Sequence, residues 1–241
     1  MNYFLYIIFA IAPSAIWLLF YLKKDSHPES RHMILKIFFL GMLVAGLAAM
    51  FELGIFELII LLFPGFLHTN SVLIMVFRFF VLVALIEEFA KYIIVKRFVL
   101  ADANLDEPLD IMLYMIISAL GFAALENILV LFPFNGNSIQ DNLILAFSRF
   151  LGATFLHTLA SGTIGYFLAM SFSHHIQRKS VFILGFAIAV ILHGLYNLSI
   201  ISFEGKFQSL TPVAILLGLL IFTTWGFQKL KKLKGLSKVS V

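Results

Sequence analysis

Long apolar runs broken by short polar or basic stretches dominate the chain. They predict seven membrane-crossing helices at about 3–22, 34–62, 72–95, 110–133, 143–171, 181–201 and 212–228, each near the roughly 20 residues that a bilayer crossing requires. The second run is long and carries Glu52 and Glu57 before Pro64-Gly65, so its end reads as an interfacial turn. No strand pattern, internal repeat or low-complexity segment interrupts the series. The predicted fold is therefore all-α, one polytopic helix bundle over 1–241 with a core at about 72–201 and a basic tail at 229–241.

Composition agrees with the pattern: of 241 residues 61% are hydrophobic and 12% charged, and the mean hydropathy is +1.02. Soluble domains carry about 45–50% apolar and about 25% charged residues. Basic residues fix the expected orientation. Lys23, Lys24, Arg31 and Lys36 flank the first loop, Lys96 and Arg97 the third, Arg178 and Lys179 the fifth, and Lys229, Lys231, Lys232, Lys234 and Lys238 the tail. The positive-inside rule then places the N-terminus outside and the C-terminus in the cytoplasm. The formal charge of +4 follows this topology, so a nucleic-acid partner is not expected, and the partner is the lipid bilayer. The first run lacks a basic leader and a small-residue cleavage site and reads as a span.

Against this background the ionisable residues at membrane depth stand out: Glu87, Glu88 and Lys91 on the third span, Glu126 on the fourth, Arg149 and His157 on the fifth, His193 and Asn197 on the sixth. Charges in hydrocarbon are costly and mark functional sites. Spacing of three and four lets Lys91 pair with either glutamate, and puts His193 and Asn197 on one helix face. Carboxylate, two imidazoles and an amide can activate water and stabilise an oxyanion. Equally, His157, His193 and Glu88 are candidate ligands for a divalent metal such as zinc. The chain has no cysteine, so thiolate chemistry is excluded.

Other proteolytic signatures are absent. There is no H-E-x-x-H helix, Asp110 and Asp141 lie at span edges, and Ser161 lacks the preceding glycine of a rhomboid-type motif and reads as a serine bonded to its own helix backbone. Arg149 reads as a snorkelling cation, and Glu52 and Glu57 as interfacial. His27, His32, His68, His174 and His175 fall in loops or interfaces.

Glu87-Glu88-x-x-Lys91, Phe122-x-x-x-Glu126-Asn127, Arg149 with His157, and His193-x-x-x-Asn197 resemble, in identity, order and spacing, the PrsW family of intramembrane proteases. The resemblance runs from about 80 to 200 and includes Gly165-Tyr166 and Gly194-Leu195-Tyr196. It implies kinship with the CAAX prenyl endopeptidases, a multi-pass location in the bacterial plasma membrane, and cleavage of a membrane-anchored substrate, an anti-sigma factor or a similar single-span protein. It also implies that Glu87 or Glu88 activates water, that His157 and His193 orient water or bind metal, that Asn197 supports the oxyanion, and that Lys91, Glu126 and Arg149 assist. Glu126 stands where the CAAX enzymes have histidine.

Counting about 1.5 Å per residue from the cytoplasmic span ends puts Glu87 roughly 12 Å deep, His193 roughly 18 Å, and His157 and Glu126 roughly 20–22 Å. This estimate sets Glu126 about 10 Å from Glu87, as a residue that stands behind a direct ligand or gates the substrate. A proton-coupled carrier or a non-catalytic scaffold would also bury such a cluster. A carrier predicts repeat symmetry between halves, which is absent. A bis-histidine haem protein leaves the double glutamate unexplained, and a retinal protein would need a lysine in 212–228.

Overall fold

In the computed structural model residues 3–25, 29–63, 72–102, 105–131, 139–173 and 178–233 are described. Pro64-Gly65, His27, His68, His174, His175 and the tail beyond Leu233 lie outside them. Among the described residues every regular element is a helix: α1 (Tyr3–Leu22), α2 (Arg31–Leu62), α3 (Val72–Val76), a π-helical stretch (Phe77–Leu85), α4 (Ile86–Phe98), α5 (Pro108–Leu131), α6 (Ile139–Leu151), α7 (Ala153–Ser173), α8 (Arg178–Ser202) and α9 (Lys206–Leu230).

Five of these runs are long and apolar enough to cross a membrane: Arg31–Leu62, Pro108–Leu131, Gln140–Phe172, Lys179–Ser202 and Lys206–Leu230. Tyr6–Leu22 is a shorter apolar helix. The run from Val72 to Phe98 is not among the five, because Arg78, Glu87, Glu88 and Lys91 interrupt its apolar surface. It is one continuous helical path, since Val76, Leu85 and Ile86 all keep right-handed helical backbone angles at the joints. The π-helical stretch ends at Leu85, two residues before Glu87, and such windings often accompany functional sites.

Helix α5 is the central pillar. It starts with Pro108, which suits a first helical position, and every residue from Leu109 to Ala124 is buried. Two glycines let α2 press against it: a Cβ on Gly121 would collide with the Phe38 carbonyl oxygen, and one on Gly41 with that of Ser118. Small residues at helix contacts are the usual way for membrane helices to approach closely. Asn127, near the far end of α5, donates to the Ala10 carbonyl and to Thr154 Oγ1, both at 3.1 Å, and so ties α1 and α7 to the pillar.

The span expected at 143–171 corresponds to the apolar run Gln140–Phe172, in which α6 ends at Leu151 and α7 starts at Ala153. The helical hydrogen bonds continue through Gly152 between them, from its N–H to the Ser148 carbonyl at 2.9 Å and from the Leu156 N–H to its carbonyl at 2.8 Å. A Cβ on Gly152 would stand 2.6 Å from Tyr196 Oη, so the glycine leaves room for the tyrosine hydroxyl at this joint.

Candidate active site

The ionisable residues singled out above converge from α4, α5, α6, α7 and α8 onto one buried point. At its centre is Lys91, whose side chain is fully buried. Its ammonium donates to Glu88 Oε1 at 2.8 Å and to His157 Nδ1 at 2.8 Å, lies 3.5 Å from Glu87 Oε2, and sits 4.3 Å from the centre of the Phe122 ring. The lysine thus pairs with both glutamates, and the shorter bond goes to Glu88.

These partners decide the histidine tautomers. His157 accepts a hydrogen bond from Lys91 at Nδ1, so Nε2 carries the ring hydrogen and donates to Glu126 Oε2 at 2.7 Å. His193 donates from Nδ1 to Glu88 Oε1 at 2.9 Å, which leaves the Nε2 lone pair free and 3.7 Å from Glu87 Oε2. Each histidine is therefore held on one side by a carboxylate. The two rings meet edge to face with centres 5.0 Å apart.

Glu126, set at the same depth as His157 by residue counting, lies against that ring, with Oε2 2.7 Å from His157 Nε2. Arg149 does not snorkel: it turns inward, with Nη2 3.1 Å from Glu126 Oε1 as an ion pair, though not aligned as a hydrogen bond, and with Nε donating to Asn127 Oδ1.

Two residues escape the sequence reading. Ser161 is not bonded to its own backbone; Oγ donates to Glu88 Oε2 at 2.7 Å. Glu52 is not merely interfacial: it is half-buried, interacts electrostatically with Glu126, Lys91 and Glu87, and its Oε1 is buried with no hydrogen-bond partner. Spacing gave a signal for Glu52, since Ala45 and Ala48 on the same α2 face pack against Phe122 beside Ile86 and Leu125. No local signal marks Ser161. Asn197 is half-buried one turn beyond His193 and, among the described residues, has no hydrogen-bond partner.

The donor atoms also test the fit of a metal. Glu87, His157 and His193 each offer one ligand atom, all within 4.8 Å of one another. Glu87 Oε2 is 3.6 Å from His157 Nδ1 and 3.7 Å from His193 Nε2. Ligand atoms about 2.0–2.1 Å from a tetrahedral zinc stand roughly 3.4 Å apart, so these separations are within a small adjustment of closure. The opposite nitrogen of each ring already donates to a carboxylate, the arrangement that orients metal-binding histidines. Glu87 rather than Glu88 groups with the two histidines, and both Glu88 oxygens are engaged by Lys91, His193 and Ser161. A cation at this point would take over the His157 lone pair that Lys91 now shares.

With this geometry in view, comparison with known proteins is decisive. The family model for PrsW family intramembrane metalloproteases matches residues 29–225. The chain belongs to this family. It is 28% identical over 207 residues to Protease PrsW of Oceanobacillus iheyensis, covering 86% of this chain and 88% of that protein. Protease PrsW of Geobacillus kaustophilus is 27% identical over 231 residues, covering 95% and 92%, and that of Bacillus subtilis 29% over 234 residues, covering 96% of each. No solved structure matches the chain. All the converging residues fall within the segment matched to the PrsW family, which fits the description of a metalloprotease better than that of a carrier.

Proposed function

We propose that this member of the PrsW family is an endopeptidase that hydrolyses a peptide bond of a membrane-anchored protein, with an anti-sigma factor or a similar single-span protein as substrate. It would act in the bacterial plasma membrane as a seven-span protein, N-terminus outside and C-terminus cytoplasmic, with α1 and the run from Val72 to Phe98 adding to the five long apolar helices. The observation that carries the reading is the meeting of Glu87, His157 and His193 donor atoms in a buried pocket, backed by a carboxylate behind each histidine.

A divalent cation such as zinc, held by Glu87, His157 and His193, would supply Lewis acidity for the attack of water on the scissile carbonyl. The chain's own residues do the rest. Glu88 and Glu126 hold the two imidazoles in the tautomers that aim Nε2 of His193 and Nδ1 of His157 at the pocket. Lys91 offsets the buried carboxylate charge. Asn197, with its amide unengaged, donates to the oxyanion that forms as water adds to the carbonyl carbon. Glu52, which interacts electrostatically with Glu87, Glu126 and Lys91 and has, among the described residues, a buried carboxylate oxygen without a partner, would accept the proton of the attacking water and return it to the leaving amine as the C–N bond breaks.

The test compares membrane peptides from cells making the wild type with those from cells making Glu87→Ala. Wild type should produce cut membrane proteins that Glu87→Ala does not, with both proteins accumulating equally. Identical peptide sets would favour a carrier or a scaffold instead.

A further inference from the structure

Away from the active site, α1 and α9 end side by side in a basic hollow. A cavity of about 320 Å³ lies between them, lined by Tyr21, Lys23, Lys24, Thr223, Thr224, Phe227, Gln228 and Lys231. Three lysines surround it and no carboxylate lines it. Lys231 spends one of its protons on the Lys24 carbonyl at 2.7 Å, and the Lys24 ammonium rests 4.2 Å over the Phe20 ring, so both stay at the rim with protons to give. The floor is apolar, with Tyr21 and Phe227 both buried.

Tyr21 supplies the second observation. It is only 5% exposed, yet among the described residues its hydroxyl has no hydrogen-bond partner. The ring of Tyr21 is packed away while the residue lines a hollow rimmed by ammonium groups, so its hydroxyl is a donor available there, and this set of donors suits a tetrahedral oxyanion.

We infer that the hollow between the ends of α1 and α9 binds the phosphate of an anionic phospholipid, with Lys23, Lys24 and Lys231 neutralising the charge and the Tyr21 hydroxyl donating to a phosphate oxygen. Basic pockets between helix ends at the membrane surface are suited to acidic head groups. The exposed faces of the flanking helices would carry the acyl chains. Such a lipid would clamp the first and last helices of the bundle together, reinforcing the Lys231 bond to Lys24.

The experiment uses the full-length protein in detergent, observed by native mass spectrometry while phosphatidylglycerol, phosphatidylcholine or inorganic phosphate is added. Phosphatidylglycerol should be retained at least ~10-fold more strongly than phosphatidylcholine. The triple variant Lys23→Ala, Lys24→Ala, Lys231→Ala should lose that preference, and Tyr21→Phe should weaken it by about threefold while leaving the thermal midpoint in phosphatidylcholine unchanged. If the triple variant fails to accumulate, Thr224→Glu, which adds a negative charge at the exposed rim, should expel the lipid. Phosphate that binds alone and displaces phosphatidylglycerol would make free phosphate the source of the ligand; lipid retained against millimolar phosphate assigns it to the membrane. Equal retention of the two lipids, or full retention of phosphatidylglycerol by the lysine variant or by Thr224→Glu, overturns the inference.

Discussion

Replacing Ser161 by alanine removes one oxygen from a fully buried residue and one bond from Glu88. That bond, 2.7 Å from Oγ to Oε2, joins a neutral donor to a charged acceptor. Such bonds contribute about 1.5–3 kcal/mol, and at roughly 1.4 kcal/mol per factor of ten the ceiling is a 10- to 100-fold effect. Glu88 keeps Lys91 and His193 on its other oxygen, so the lower end applies. Cleavage of a single-span reporter in proteoliposomes should therefore slow by about tenfold. His193, freed to turn, should also hold metal less tightly, so that chelator inactivates the variant at a concentration about tenfold lower. Thr163→Ala is the matched control on the same helix, because its hydroxyl bonds only to the Leu159 carbonyl at 2.9 Å. Ser161→Ala cutting at the wild-type rate with unchanged chelator sensitivity would refute the reasoning, as would an equal loss in Thr163→Ala.

Other perturbations separate the remaining roles. Glu87→Ala, His157→Ala and His193→Ala should each lower reporter cleavage by about a thousandfold or more, judged by gel quantitation against equal protein, since each removes a ligand or a proton-handling group from the centre. Glu52→Gln keeps shape but cannot take a proton, and should lower turnover by roughly 10²-fold while zinc content by atomic absorption stays at the wild-type level. Gly121→Ala would force α5 off the Phe38 carbonyl and should cost about 1–3 kcal/mol, read as a lowered thermal midpoint in detergent.

The helices were legible because a membrane allows one signal to dominate: apolar runs of span length, ended by basic residues. The site was legible for the same reason, since Glu87, Lys91, His157 and His193 are conspicuous where nearly everything else is apolar. Geometry between helices was not. Residue counting set Glu126 and His157 at one depth, but only packing shows the carboxylate bonded to the ring. The inward turn of Arg149 toward Glu126 and Asn127 is equally absent from the sequence, because spacing along one helix does not show which neighbour its side chains meet. Ser161 is 73 positions from Glu88 in the chain, and a serine on a helix carries no periodicity that names a partner on another.

Charge balance explains why these residues need one another and what the site needs besides. Among the described residues Glu52, Glu87, Glu88 and Glu126 share Lys91 and Arg149 as their lysine and arginine partners. With the four carboxylates ionised and both rings neutral the cluster would be two charges negative in a medium that solvates charge poorly, and a buried charge without compensation is strongly destabilising. Lys91 cannot close the deficit, being shared already among Glu87, Glu88 and His157. A divalent cation between Glu87, His157 and His193 would close it, and its uptake should release whatever protons neutralise the carboxylates in its absence. Zinc at a free concentration of about 100 times its Kd should then stabilise the protein by about 2.7 kcal/mol, seen as a raised thermal midpoint that chelation reverses, with cleavage lost and regained in step. Protein stripped of metal that melts at the same temperature and still cleaves the reporter would show that protons alone neutralise the cluster, and would return water activation to Glu87.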